Sequence, residues 1–273
     1  MSAHDQPSCT LFILGSGNVA THLSQALDRA GHRIQGVYSR QRPHAAALAA
    51  GFPGAVATDA LDFTRLPAAD LYLVCVTDAA LPDLMSQARF PAGSVVAHTS
   101  GSLPLAVLAA NPAVRPAVFY PIQTFSKNQA VDLADTPVAV EAADPETAAR
   151  VARLAATITS RVLRLSSEDR KYLHLAAVFA CNFTNHLLGI GQEIMQQHQL
   201  DPTLLHPLIQ ATFHKALRQP PFQVQTGPAV RGDALVLARQ QDLLQDQPRY
   251  RQIYALLSES IRQKSTGEPR QED

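Results

Sequence analysis

Gly15-Ser16-Gly17-Asn18-Val19-Ala20 is the segment whose residue types and spacing point most directly to chemistry. It follows the apolar run Leu11 to Leu14 and opens an amphipathic stretch, the setting in which a GxGxxA pattern binds a dinucleotide pyrophosphate. Gly15 permits a tight turn, Gly17 lets phosphate approach the backbone, and small Ala20 allows close helix packing while free N–H groups face the anion. All six residues are expected to bind the cofactor. In NAD-selective versions of this turn an acidic residue about 20 positions on accepts from the ribose hydroxyls. Here the second apolar run ends in Tyr38-Ser39-Arg40, with no carboxylate. Ser39 can donate to a 2′-phosphate and Arg40 can pair with it, which favours NADP(H).

Ligands of open α/β sheets bind beyond the carboxyl ends of the strands. Two further strand ends are Val76-Thr77-Asp78 and His98-Thr99-Ser100-Gly101-Ser102. Val76, Thr77, Thr99 and Ser100 are assigned to the cofactor and His98 to a substrate, while Asp78 reads either as a site residue or as the cap of the next helix. Within Glu168 to Gln197, helical counting puts Lys171, His174, Val178, Cys181, Asn182 and Asn185 on one arc of roughly 100°. This segment reads as a buried helix, so its polar groups need partners. His174 or Lys171 could donate a proton as hydride reaches carbon, and Asn182 or Asn185 could orient the substrate. Near Thr226-Gly227-Pro228, Arg231 and Asp233 are spaced to pair with each other or to clamp a carboxylate.

These residues need an α/β frame. From Thr10 to about Leu165 short apolar runs alternate with Ala-rich amphipathic stretches, as in a parallel sheet covered by helices on both faces. Strands are expected at Leu11 to Leu14, Ile34 to Tyr38, Leu71 to Val76, Val95 to His98, Val118 to Tyr120, Val138 to Val140 and Val162 to Leu165. Helices are expected at Asn18 to Ala30, Pro43 to Ala50, Leu103 to Ala109 and Pro145 to Thr159. After Ser166 helical periodicity takes over in Glu168 to Gln197, Pro202 to Arg218 and Arg249 to Gln263. The expected fold is therefore a doubly wound Rossmann-type domain over residues 1–165 and an all-helical substrate and dimerisation domain over 166–273.

The chain has 273 residues, 46% hydrophobic and 17% charged, which is ample for a packed core. Lys plus Arg and Asp plus Glu are both 23, so charge favours neither nucleic acid nor an anionic membrane. A small-molecule partner is the default. Cys9, Cys75 and Cys181 lie apart without a CxxC pair, pointing to a reducing compartment and no structural metal. The apolar stretch Leu173 to Phe183 is shorter than the ~20 residues of a bilayer span. Met1 to Thr10 lacks the basic start of a signal peptide. The expected location is the cytoplasm.

Five motifs together resemble the DUF2520 group of Rossmann-like proteins: the glycine turn, His98 to Ser102, Tyr120-Pro121-Ile122-Gln123-Thr124-Phe125, His174-Leu175-Ala176-Ala177 with Asn182-Phe183, and Thr226-Gly227-Pro228 through Asp233. More distantly the chain is similar to pyrroline-5-carboxylate reductase, F420-dependent NADP reductase and the 6-phosphogluconate/β-hydroxyacid dehydrogenase superfamily. The resemblance implies a helical domain that contributes to a homodimer, a cleft between the domains, and a substrate-side place for Gln123. Two departures stand out. In the hydroxyacid dehydrogenases an asparagine follows the catalytic lysine by four residues, whereas Leu175 follows Lys171. Tyr120 stands where the group commonly has histidine, removing one titrating group. The readings are a reductase acting on a small C=N or C=O compound, a catalytically silent NADP(H)-binding redox sensor, or an enzyme with deazaflavin F420 as second substrate.

Overall fold

The computed structural model describes residues 8–126, 129 and 131–266. Met1 to Pro7 and the polar tail after Thr266 lie outside them. Eight strands form one sheet in the order β3-β2-β1-β4-β5-β6-β7-β8. They are β1 Thr10–Leu14, β2 Arg33–Tyr38, β3 Val56–Thr58, β4 Leu71–Val74, β5 Ser94–His98, β6 Val114–Pro121, β7 Val138–Ala142 and β8 Val162–Arg164. The order reverses between β1 and β4, the topological switch point where such sheets bind ligands. Leu14 pairs with Tyr38 and Val74, and Val74 with His98, so the ligand-side ends of four strands lie level.

Each expected strand is present, with two differences. β7 runs antiparallel to β6, so the sheet is not wholly parallel. The short β3 was not anticipated, because a three-residue edge strand carries little periodic signal. The helices of this part are α1 Asn18–Arg29, α2 Arg42–Ala49, α3 Leu81–Gln87 and α4 Pro145–Ala156. The helix expected at Leu103 to Ala109 is a 3₁₀ segment, Leu105–Ala110, and α3 went unrecognised. Asp144 caps α4 by accepting from Thr147 N at 2.9 Å. Two apolar clusters cover the two faces of the sheet, one around Leu11, Leu23, Leu27 and Phe119, the other around the aromatic group Phe12, Phe63, Tyr72 and Phe90.

Contacts divide the chain into Met1–Ala180 and Cys181–Asp273, rather than at residue 165. The reason is α5, Ser167–Ala177: Ser166 caps it as expected, accepting from Asp169 N at 3.1 Å, and its buried Arg170 binds the sheet part. A π-helical segment, Val178–Phe183, continues α5 into α6, Thr184–Gln197. The second unit holds α6, α7 His206–Arg218, α8 Pro228–Arg231, α9 Ala234–Asp242 and α10 Pro248–Thr266. The expectation of a buried helix is corrected here: between Ser167 and Gln197 only Arg170 is buried, and Cys181 is exposed. Taken whole, Ser167–Gln197 is long and apolar enough to cross a membrane by length and composition alone. Counting the apolar run only to Phe183 understated it.

Candidate active site

The turn after β1 is built around a glycine that nothing can replace. Gly15 has φ +122°, donates to Tyr38 O at 2.8 Å, and a Cβ on it would lie 2.5 Å from the Cys75 carbonyl oxygen. Gly17 caps α1 with no side-chain hydrogen bond, the first turn carries no acidic residue, and the space in front of Gly17 is open. The free N–H groups and the positive end of the helix dipole thus remain available to an anion. Beside them is a cavity of about 510 Å³ that includes Gly15, Ser16, Gly17, Ser39, Arg40 and Thr77. Ser16 Oγ donates to Ser39 Oγ at 3.2 Å, tying the turn to the end of β2. Arg40 makes no ion pair among the described residues and is exposed. These residues fit a phosphorylated dinucleotide.

Other expected cofactor contacts divide. Val76 lines the same cavity. Asn18 instead donates to Phe125 O at 2.8 Å, Val19 packs on the core, and Ala20 is fully buried beneath the turn. Thr99 donates to Val74 O, and Ser100 Oγ accepts from Leu103 N at 3.0 Å, so both hydroxyls shape their own loop. Sequence reasoning missed His44, which lines this cavity and a second one between α1 and α2. Its only signal was its place just past Arg42 at a helix start.

A second polar group gathers at the ends of β5 and β6. Tyr120 Oη and His174 Nδ1 are 3.1 Å apart, with their rings edge to face. Burial pushes the Tyr120 phenol up, with the Arg170 charge opposing and Asp78 adding to the rise. Tyr120, read from sequence as the loss of a titrating group, is therefore the partner of His174. Arg170 is 0% exposed. It donates to Ser100 O and Leu103 O at 2.9 and 2.6 Å, to Glu141 at 2.9 Å and to Ser167 Oγ at 3.1 Å. The loop 100–103 is thereby fastened to β7 and α5. Neither Arg170 nor Glu141 was singled out from the sequence, because isolated charges in an amphipathic pattern read as solvent-facing.

Several expected site residues are placed otherwise. His98 is 1% exposed, and its Nδ1 accepts from Ser100 N at 3.2 Å. Burial, then the Arg170 charge, lowers its pKa to about 4, so it is a neutral interior imidazole. Lys171 is solvated and pairs with Glu168 at 2.7 Å. The Gln123 amide oxygen accepts from Thr124 N at 2.8 Å, folding the side chain back on its own loop. Asp233 caps α9, accepting from Val236 N at 3.3 Å, and makes no ion pair with exposed Arg231 among the described residues. Asn182 and Asn185 are exposed. Counting 100° per residue from His174 to them fails, because residues 178–183 are π-helical. Among the described residues no group of three or more His, Cys, Asp or Glu could hold a metal ion.

A mostly parallel sheet with its switch point at a glycine turn, an uncapped helix start and an arginine-flanked cavity define a Rossmann-type fold. The chain matches the Rossmann-like domain over residues 2–118 and the domain of unknown function DUF2520 over residues 136–261. It is 38% identical to a candidate NADP oxidoreductase of Bacteroides fragilis, covering 94% of this chain and 98% of that one with a TM-score of 0.84. The chain belongs to the DUF2520 family of Rossmann-like proteins. Two more distant structures share the fold. One is 1-pyrroline-5-carboxylate reductase of Streptococcus pyogenes, at 12% identity and TM-score 0.60 over 93% of this chain and 98% of that one. The other is the reductive aminase of Aspergillus terreus with NADPH and ethyl-5-oxohexanoate, at 19% and 0.61 over 86% and 78%. No curated protein matches the chain.

Proposed function

We propose that this protein is an NADP(H)-dependent oxidoreductase acting on a small C=N or C=O compound. One observation carries the reading: an α1 N-terminus left without a cap or an acid opens on a cavity that also holds Ser39 and unpaired Arg40. Gly15, Ser16 and Gly17 would hold the pyrophosphate, and Ser39 and Arg40 the 2′-phosphate. The bound cofactor supplies hydride. When Tyr120 donates to His174 Nδ1, the imidazole carries its proton on Nε2, which makes no hydrogen bond among the described residues and is the proton donor to substrate. The Bacteroides fragilis relative and the NADPH complex of the reductive aminase support the cofactor choice.

Fluorescence titration with NADPH and NADH, in parallel with Arg40→Ala, tests this. Tight NADPH binding that weakens in the variant, followed by turnover of imines or ketones, is expected. Absence of binding by either nucleotide overturns it, and binding without turnover of any of them points to a redox sensor.

The same protein is proposed to be a cytoplasmic homodimer. Cys75 is a buried thiol and Cys181 an exposed one, as fits a reducing compartment. Among the described residues of the second unit, Ala229 and Leu244 are the only buried apolar side chains, while Leu204, Leu208, Leu217, Leu235 and Leu256 are exposed. A unit with so little core gains its stability by covering that surface, and a second copy supplies the cover. A monomeric mass by light scattering at micromolar concentration would refute this.

A further inference from the structure

Four residues beyond β4, at the start of the 3₁₀ segment Asp78–Ala80, Asp78 presents a carboxylate to solvent, where one of its oxygens accepts a hydrogen bond from Ser102 Oγ. No cation pairs with it among the described residues. The cations of α5 are already engaged, Arg170 with Glu141 at 2.9 Å and Lys171 with Glu168 at 2.7 Å. Ser102 adjoins Gly101, and a Cβ on Gly101 would touch both His174 Nδ1 and the Tyr120 ring. The free carboxylate therefore belongs to the same strand-end surface as the Tyr120–His174 pair.

Such a charge discriminates between substrates. A carbonyl gathers negative charge on oxygen as hydride arrives, which a nearby carboxylate opposes. An imine protonated at nitrogen is a cation before hydride arrives, which the same carboxylate stabilises.

We infer that Asp78 is the counter-ion of a protonated imine and makes this site selective for C=N over C=O substrates. The inference rests on the NADP(H)-dependent reading above. In that reaction the imine nitrogen takes the proton of His174 Nε2 as Nδ1 takes that of Tyr120 Oη, and solvent restores the Tyr120 proton. The C=N π bond then breaks as carbon forms its bond to hydride. The substrate gains two electrons to become an amine, and NADPH loses two to become NADP⁺.

The test is ligand-observed NMR with the NADPH-saturated full chain, comparing piperidine, an ammonium ion at neutral pH, with the isosteric neutral tetrahydropyran. The wild type is expected to prefer piperidine by roughly fivefold, the upper end for a partly exposed ion pair. Asp78→Asn keeps an oxygen for Ser102 and should abolish the preference. Ser102→Ala keeps the charge and should retain it. No preference in the wild type, or the same preference in Asp78→Asn, overturns the inference. A selective loss of NADP⁺ over NADPH affinity in Asp78→Asn also overturns it, by making the carboxylate a partner of the oxidised cofactor. NADPH titration of the wild type alone keeps the two failures apart: if NADPH does not bind, it is the reading beneath that fails.

Discussion

The backbone of Gly101 lies against the imidazole of His174, so that a Cβ there would sit 2.6 Å from Nδ1 and 2.7 Å from Cζ of Tyr120. The glycine is required by this close approach and not by a left-handed backbone, since its φ is not among the positive values. Arg170 holds the same loop by the carbonyls of Ser100 and Leu103, one residue before and two after Gly101. The distance between loop and imidazole is thus set by a buried guanidinium.

Gly101→Ala should displace the Tyr120–His174 pair without disturbing the cofactor turn. Overpacking of this kind costs about 1–3 kcal/mol. The expected outcome is a modest fall in Tm, an unchanged NADPH affinity and a kcat reduced on the order of tenfold or more, the lower end of what a positioned acid contributes. Calorimetry and steady-state kinetics check it. An unchanged kcat would show that His174 does not take part.

The two glycines of the cofactor turn should fail in different ways. Gly15→Ala forces a Cβ to 2.5 Å from a backbone oxygen at φ +122°, so stability itself should fall, by roughly 1–3 kcal/mol for a residue held in such a region. Gly17 has φ −80° and open space in front of it, so Gly17→Ala should fold normally. Its methyl group would stand where phosphate approaches, and NADPH affinity should weaken by about tenfold or more, some 1.4 kcal/mol. Urea denaturation and fluorescence titration of both variants separate the effects. A Gly17→Ala protein that binds NADPH as the wild type does would place the pyrophosphate elsewhere.

The buried ion pair gives a third expectation. Arg170→Met leaves the half-buried Glu141 carboxylate with only the Ser167 hydroxyl, and breaking one side of such a pair costs roughly 3–5 kcal/mol. Pairing it with Glu141→Gln should recover part of that loss, because no orphan charge remains. A loss below about 1 kcal/mol in chemical denaturation of Arg170→Met, the size of an ordinary surface substitution, would deny Arg170 its structural role.

What was legible in the sequence was local. The glycine turn, the missing acid at Ser39-Arg40 and the Ser166 cap depend on residues within a few positions of one another, and each is found where the pattern put it. What was hidden depends on the sheet. Tyr120 and His174 are 54 positions apart and meet only because β6 ends beside α5. The antiparallel β7 carries the same apolar alternation as a parallel strand. The π-helical turn at 178–183 contains no residue that marks it, yet it undoes the counting that set Asn182 and Asn185 beside His174. His98 has a polar sequence neighbourhood, but the sheet buries it.

That burial makes a last prediction, on pH. His98 is held at about 4 against an ordinary 6.5, chiefly by burial, so between these values the unfolded chain binds a proton that the folded chain excludes. Stability therefore rises with pH through this window and is level above it. A fully expressed shift of this size is worth about 3 kcal/mol between pH 6.5 and 4. His32 is also lowered by burial and adds slope in the same direction, so the comparison with a variant carries the test. His98→Asn retains an oxygen to accept from Ser100 N and removes the titration. Its urea midpoint should fall less steeply than that of the wild type as pH is lowered from 6.5 to 4.5, where most carboxylates are still ionised. Parallel slopes for the two proteins would mean that His98 takes up its proton in the folded state as readily as in the unfolded chain.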